Sequence, residues 1–134
     1  AKFIWVFADY QTYMRKEGEK DGINDKGLLT YDRKTKKDAF FFYKANWNPA
    51  PMLYITSRRF VKRTHPVTDI KVYSNLKEVV LYVNDKRIGK MKPDYLKRII
   101  WKDIKLNEGK NRIRIEGKKD KEKIIDMCEW IVTL

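Results

Sequence analysis

The 134-residue sequence lacks most of the side chains on which catalytic and metal sites are built. Its only histidine is His65, so the chain cannot form a Ser-His-Asp triad or a histidine-rich metal site by itself. Its only cysteine is Cys128, which excludes an internal disulfide and leaves the redox compartment open. No apolar run approaches the roughly 20 residues of a membrane span. We therefore predict no metal, no cofactor and no membrane contact.

The sequence also has no initiator methionine, because it starts at Ala1. It shows no charged segment followed by a signal-type apolar stretch. Its length fits one domain, or one small domain joined to a piece of another. We therefore expect this polypeptide to be a fragment of a longer protein.

Acidic residues are scarce relative to basic ones, and the formal net charge is +13. Residues 1–50 contain ten basic and seven acidic residues, whereas residues 51–134 contain 21 and 11, so the excess lies in the second part. There the basic residues are mostly interspersed with apolar ones, as in Arg112 and Arg114. This pattern is typical of solvated strand faces, whereas nucleic-acid surfaces usually add exposed aromatic residues. We predict no nucleic-acid partner.

The first part of the chain begins with an unbroken apolar run, Phe3–Ala8. A run without alternation is typical of a strand buried on both faces, as in parallel sheets covered by helices. Residues 10–22 are polar and have no periodic pattern, which predicts an exposed loop. Together with a helix further on, they would complete one β-to-α unit.

That helix is predicted from Thr35 to Trp47 and is strongly apolar. The hydroxyl of Thr35 can cap the first turn, and Asp38 follows three residues later, near the positive end of the helix dipole. Pro49 and Pro51 end the helix. Because apolar residues lie nearly all the way round it, the helix must be covered on more than one side.

A single β-to-α unit cannot form a domain, because a parallel strand needs parallel neighbours. The sequence offers none. We therefore expect residues 1–50 to be the last unit of a larger α/β structure whose other parts precede Ala1.

Residues 51–134 have a different pattern, with short alternating segments separated by turn signals. They predict a small antiparallel β-sandwich of immunoglobulin-like type. The six candidate strands are Met52–Thr56, Ile70–Ser74, Val79–Val83, Arg98–Ile104, Asn111–Glu116 and Cys128–Val132.

Long, ordered motifs in both parts resemble one known family. The first part contains FIWVFADY and GINDKGLLTYDRKTKKDAFFFYKANW, and the second contains YITSRR, IKVYSN, EVVLYVNDKRIG, NEGKNRIRIEG and CEW. These resemble the end of the catalytic barrel of glycoside hydrolase family 2 and the immunoglobulin-like domain that follows it in many bacterial members. The resemblance implies a mostly β chain: an immunoglobulin-like sandwich, residues 51–134, preceded by the last unit of a (β/α)8 barrel, residues 1–50.

Three residues would then belong to a sugar site. Trp5 matches the tryptophan that the family places against the sugar in the cleavage subsite, although a plain core aromatic is the alternative. Asn24 and Lys26 match the Asn-x-Lys motif by which β-glucuronidases of this family hold the sugar carboxylate. An ammonium and an amide are suitable donors to a carboxylate. A simple turn closed by Gly27 is the alternative for this segment.

The resemblance implies a retaining mechanism with two glutamates roughly 5 Å apart, both on barrel strands that this chain lacks. Glu17 and Glu19 lie in a polar segment and are interpreted as solvated charges. We assign no catalytic residue and expect the isolated fragment to be inactive. The parent would hydrolyse terminal β-linked sugars, with a β-galactosidase as first choice and a β-glucuronidase-type parent as alternative, and a periplasmic or secreted location is typical of such enzymes.

Two other functions stay open from the sequence. A non-catalytic carbohydrate-binding module would need exposed aromatics on one sandwich face, for which Tyr54, Tyr73, Tyr82 and Tyr95 are the candidates. A basic nucleic-acid-binding domain would bind heparin and DNA with an affinity that falls steeply as the salt concentration rises. The densest basic cluster could hold phosphate or acidic glycans, or else pair with neighbouring acids. It consists of Arg58, Arg59, Lys62 and Arg63.

Overall fold

The computed structural model describes residues 3–14 and 18–133, and these residues are mostly β. They belong to two compact units, Ala1–Tyr43 and Lys44–Leu134. The domain boundary predicted after residue 50 stays a prediction. Among the described residues the single helix, α1 (Asp38–Trp47), is neither long nor apolar enough to cross a membrane.

The first unit contains two short antiparallel strands, β1 (Tyr10–Gln11) and β2 (Ile23–Asn24). The sequence predicted an exposed loop over residues 10–22 and missed this pairing, because two-residue strands give no periodic signal. Ala8 forms a parallel bridge with Leu29, which also pairs with Lys36. The small apolar cluster of this unit consists of Ala8, Leu28 and Leu29.

The predicted strand Phe3–Ala8 is not buried on both faces within this chain. Only Ala8 is buried, while Phe3, Trp5 and Phe7 are exposed. The segment is nevertheless joined to the rest of the unit, because Leu28 and Leu29 donate backbone hydrogen bonds to the Phe7 carbonyl at 3.0 and 3.1 Å. The predicted strand is therefore not formed in the described residues: the run bends at Trp5 and Phe7, and Ala8 alone makes a bridge.

Helix α1 begins at Asp38, three residues later than predicted. Thr35 is not the cap residue, because Phe40 N donates to the Lys37 carbonyl at 2.9 Å while the Thr35 carbonyl accepts from Thr30 N at 3.0 Å. Lys37 N likewise donates to the Leu28 carbonyl at 2.8 Å. Residues 35–37 are thus engaged with residues 28–30, and the helix can start only after them.

The second unit contains eight strands: β3 (Leu53–Ile55), β4 (Lys62–Arg63), β5 (Val67–Ser74), β6 (Val79–Val83), β7 (Lys86–Met91), β8 (Arg98–Lys105), β9 (Gly109–Lys119) and β10 (Glu122–Val132). They form a three-stranded sheet, β3-β5-β8, and a five-stranded sheet, β4-β10-β9-β6-β7. All neighbours are antiparallel except β4, which pairs with β10 in parallel. This is the strand order of an immunoglobulin-like sandwich in which the first two strands, β3 and β4, lie in different sheets.

The core of the sandwich is formed by alternate residues of the facing strands, none more than 6% exposed. Within β6, for example, Val79, Leu81 and Val83 are buried and the residues between them are partly exposed. The sandwich and six of its strands were predicted. The sequence missed β4, which has only two residues, and β7, a basic edge strand without alternation.

Candidate functional site

The predicted Asn-x-Lys segment forms a tight loop directly after β2, which we call the 24–27 loop (Asn24–Gly27). Asn24 is only 1% exposed. Its amide Nδ2 lies 3.2 Å from the Tyr10 hydroxyl, and its Oδ1 accepts a hydrogen bond from Lys26 N at 3.1 Å. The second contact is an Asx-turn, in which an asparagine side chain fixes the backbone two residues on. The Asn24 side chain therefore shapes the loop from inside the fold.

Lys26 is the exposed member of the loop. Its backbone N–H is used by the Asx-turn, while its side chain extends from the surface of the unit. The two residues of the motif thus differ in what they can do. Only Lys26 presents a charged donor to solvent.

Gly27 closes the loop because no other residue fits. A Cβ at this position would lie 2.2 Å from Asp9 N and 2.3 Å from the Ala8 carbonyl carbon, and both are backbone atoms that cannot move aside. The Gly27 N–H donates to Asp9 Oδ1 at 2.9 Å. The loop therefore lies directly against the end of the apolar segment Phe3–Ala8.

Sequence reasoning missed two residues of this site, Asp9 and Lys37. The Lys37 ammonium lies 2.6 Å from Asp9 Oδ1 and 2.6 Å from the Asp25 carbonyl oxygen. Both side chains are largely buried, with 8% exposure for Asp9 and 19% for Lys37. The available signal was the position of Asp9, a charged residue at the carboxyl end of an apolar run, where barrel enzymes place functional groups.

Trp5 is 77% exposed. It lies on the segment whose backbone binds Leu28 and Leu29, immediately after the 24–27 loop. The segment that contains Trp5 and the loop that contains Lys26 therefore lie in the same unit, and both side chains are exposed. Trp5 shares its exposure with Phe3 and Phe7 of the same run.

Of the two glutamates considered in the sequence, Glu19 is the one that the structure describes. Glu19 is exposed, and its contact with the loop is a backbone N–H that donates to Asp25 Oδ2 at 3.0 Å. Glu17 lies outside the described residues. Within the described ranges no group of three or more His, Cys, Asp or Glu side chains could hold a metal ion.

The basic cluster at residues 58–63 is largely part of the sandwich. Arg58 donates to both carboxylate oxygens of Asp126 at 2.6 Å, and the Arg63 guanidinium lies 3.6 Å from the ring centre of Trp130. Burial pulls the pKa of Arg58 down, but the hydrogen bond to Asp126 and the charge of that carboxylate together outweigh it, so the pKa is raised. Burial lowers the pKa of Arg63. Two of the four cations thus stabilise the fold, which favours the structural interpretation.

The four tyrosines proposed for a carbohydrate-binding face do not make one. Tyr54 and Tyr73 are buried, and Tyr82 lies under the Arg114 guanidinium at 4.0 Å from its ring centre. Of the four, Tyr95 is the exposed one. A stacking platform built from these residues is therefore absent, which disfavours an independent carbohydrate-binding module.

Comparisons with known proteins find relatives for most of this chain. A family described as a domain of unknown function (DUF4982) matches residues 65–125. A β-glucuronidase of Bacteroides fragilis is 44% identical over 120 residues, which are 87% of this chain and 17% of that protein. This chain therefore spans about a sixth of that relative.

Solved structures match nearly the whole chain. A Bacteroides fragilis crystal structure, provisionally assigned as a β-galactosidase, has a TM-score of 0.89 and 34% identity, and the match covers 96% of this chain and 19% of that one. A Bacteroides uniformis β-glucuronidase covalently bound to cyclophellitol-6-carboxylate aziridine has a TM-score of 0.87 and 28% identity, covering 96% and 16%. Over nearly its whole length, this chain is therefore similar to a short part of proteins named β-glucuronidase or β-galactosidase.

Proposed function

We propose that this chain is part of a longer retaining β-glycosidase in which it forms one wall of the sugar site and a supporting sandwich. The observation that carries the proposal is the 44% identity to a β-glucuronidase over 87% of the chain. The exposed side chain of Lys26 supports it, because a sugar site needs polar donors around it. The two catalytic glutamates of the retaining mechanism would come from the rest of the protein.

The substrate class that we propose is a β-glucuronide, which the sequence had ranked second to a β-galactoside. The name of the Bacteroides fragilis relative, which is 44% identical to this chain, favours this order because that protein is a β-glucuronidase. Chemistry supports it as well. An exposed ammonium at Lys26 can form a charge-assisted hydrogen bond with the carboxylate of a uronic acid, whereas a galactoside offers only a neutral hydroxymethyl group there.

Asn24 and Lys26, the two residues of the motif, would have different roles. Asn24, buried and bonded to Tyr10 and to Lys26 N, would shape the loop. Lys26 would contact the sugar carboxylate. Trp5 would present its ring to the sugar. A β-galactosidase parent is the second candidate, favoured by the B. fragilis structure provisionally assigned that activity.

The test uses the full-length protein that contains this chain and compares hydrolysis of 4-nitrophenyl β-glucuronide with that of the β-galactoside. We expect Lys26→Met to reduce kcat/KM for the glucuronide by about 10- to 150-fold, which corresponds to about 1.5–3 kcal/mol for a hydrogen bond to a charged group. The galactoside rate should change little. Lys20→Met, which removes another exposed lysine of the same unit, is the control.

Three results would contradict this assignment. If the protein hydrolysed neither glycoside, the proposal of a glycosidase would be wrong. Faster hydrolysis of the galactoside, with no effect of Lys26→Met, would favour the β-galactosidase. Hydrolysis by the isolated 134-residue chain would show that catalytic groups lie within it, against the expectation that it is inactive.

A further inference from the structure

We propose that Asp9 and Lys37 are positioning residues that hold the 24–27 loop in the shape from which Lys26 reaches its ligand. Through the loop, this pair would set the preference for an acidic over a neutral sugar. The inference rests on the proposed function, because it concerns the same site. Neither residue belongs to the Asn-x-Lys motif, and neither contacts a ligand in this account.

The tethers lie on both sides of Lys26. On one side, the Lys37 ammonium donates to the carbonyl oxygen of Asp25 at 2.6 Å. On the other side, the N–H of Gly27 donates to Asp9 Oδ1 at 2.9 Å. The ion pair between Lys37 and Asp9, also 2.6 Å, joins the two tethers into one clamp.

The backbone of Lys26 itself is fixed as well. Its N–H donates to Asn24 Oδ1, and the Asn24 amide is in turn bonded to the Tyr10 hydroxyl. Each residue of the 24–27 loop is therefore held by at least one hydrogen bond, while the Lys26 side chain stays exposed. A binding group gains from such preorganisation, because less ordering is required when the ligand binds.

The clamp is effective because it is sheltered from water. Asp9 and Lys37 are far less exposed than a surface pair such as Lys102 and Asp69, whose side chains are 68% and 40% exposed. Surface pairs of that kind contribute little, since water screens them. Loss of one member of a buried pair leaves the other without its partner, which disturbs the backbone groups bonded to it.

The chain holds both members of the clamp in place. Asp9 ends the extended segment that is bonded to Leu28 and Leu29. Lys37 immediately precedes α1, and its N–H is bonded to the Leu28 carbonyl. The loop cannot compensate by moving closer, because Gly27 already lies in contact with the backbone of Ala8 and Asp9.

The experiment measures kcat and KM of the full-length protein for both glycosides, with Lys37→Met and Asp9→Asn. We expect each variant to raise KM for the glucuronide by about tenfold or more, as a misplaced binding group does, with a change below about threefold for the galactoside. Lys102→Met, which breaks the surface pair with Asp69, should leave both substrates unaffected.

A double-mutant cycle separates positioning from general stabilisation. If Lys37 acts through Lys26, adding Lys37→Met to Lys26→Met should cause little further loss on the glucuronide, because the group that is positioned has already gone. Full additivity of the two losses would overturn the proposal. Equal losses on both glycosides would also overturn it, since they would indicate only a damaged fold.

Hydrogen exchange gives a readout that does not depend on activity. In Lys37→Met and Asp9→Asn we expect faster exchange at Gly27, whose N–H is bonded to Asp9, and unchanged exchange in the sandwich strands. Asp9→Asn removes the negative charge that the Lys37 ammonium and the Gly27 N–H share, and it serves if Lys37→Met does not fold. Unchanged exchange at Gly27 would overturn the clamp. Hydrolysis of neither glycoside by the wild type would instead overturn the proposed function, and exchange would still decide whether the pair tethers the loop.

Discussion

The two units of this chain contain similar apolar segments but use them differently. In Lys44–Leu134 the apolar residues of two sheets face each other and form a continuous buried core. Among the described residues of Ala1–Tyr43 the buried apolar cluster consists of Ala8, Leu28 and Leu29, and the large side chains of Phe3, Trp5 and Phe7 are exposed. Apolar residues alone therefore do not make a core. A core also needs a second apolar surface that packs against the first.

Buried polar groups differ in the same way. In the second unit, Asn111 is buried and bonds to the backbone of Asn107 and Gly109, where it closes the turn before β9. In the first unit, Asn24 and the Asp9–Lys37 pair shape a loop that presents an exposed lysine. The sandwich uses its polar groups to complete a scaffold, whereas the first unit uses them to hold a candidate site.

The most direct test of this difference is to produce the two units as separate polypeptides. We expect Lys44–Leu134 to unfold cooperatively in urea and Ala1–Tyr43 to show no cooperative transition. Three small or medium apolar side chains contribute only a few kcal/mol at about 1.5–3 kcal/mol each. Ordering each backbone residue costs about 1–2 kcal/mol. The measurement is circular dichroism against urea, with the intact chain as reference; a cooperative transition in Ala1–Tyr43 would contradict the comparison.

A pair of identical substitutions tests the core of the sandwich. Ile115 is fully buried between the sheets, whereas Ile125 on the adjacent strand is 48% exposed. We expect Ile115→Ala to lower the free energy of unfolding by about 2–5 kcal/mol, because a cavity replaces buried methyl groups. Ile125→Ala should change it by about 0.5 kcal/mol or less. Equal losses in urea titrations would show that Ile115 does not lie in a close-packed core.

The thiol of Cys128 is a natural probe of how well the second unit is closed. Burial raises the pKa of its thiol to about 12. Because the thiolate is the reactive form, labelling at pH 8 should be about 10³-fold slower in the folded chain than in urea. The folded rate should keep rising tenfold per pH unit past pH 9. A plateau near pH 9 would contradict the raised pKa.

A matched cysteine in the first unit sharpens the comparison. Ala8→Cys in a Cys128→Ser background places a thiol in the small cluster with Leu28 and Leu29. We expect it to react faster than Cys128 at the same pH, because a small cluster opens more readily than a closed core. Labelling with a chromogenic disulfide measures both rates.

Much of the second unit could be predicted from sequence. The strand Val79–Val83 was predicted with its observed bounds, since its alternation is uninterrupted and both ends carry turn residues. The strand over Asn111–Glu116 was predicted too short, because the observed β9 extends through Gly117 into polar residues of the hairpin. Periodicity identifies the buried half of a strand, whereas its polar ends depend on the partner strand.

The first unit was less predictable, and Thr35 and Asn24 show why. Thr35 has the side chain of a helix cap, but a backbone bond from Thr30 uses its carbonyl and the helix begins later. Asn24 carries a suitable donor for a carboxylate, but its amide is bonded to Tyr10, fourteen residues away in sequence. In both cases a hydrogen bond to another segment of the unit decided the outcome over the propensity of the residue itself.

The sequence by itself determined the β-sandwich, the apolar segment Phe3–Ala8 and the motif that contains Asn24 and Lys26, because periodicity and short motifs are local properties. Only the tertiary structure decided that Asn24 is buried, that Lys26 is exposed and that Asp9 and Lys37 clamp the loop between them. Asp9 and Lys37 are separated by 28 positions. Their contact exists because the backbone pairing of Phe7 with Leu28 and Leu29, and of Leu28 with Lys37, folds the chain back on itself there.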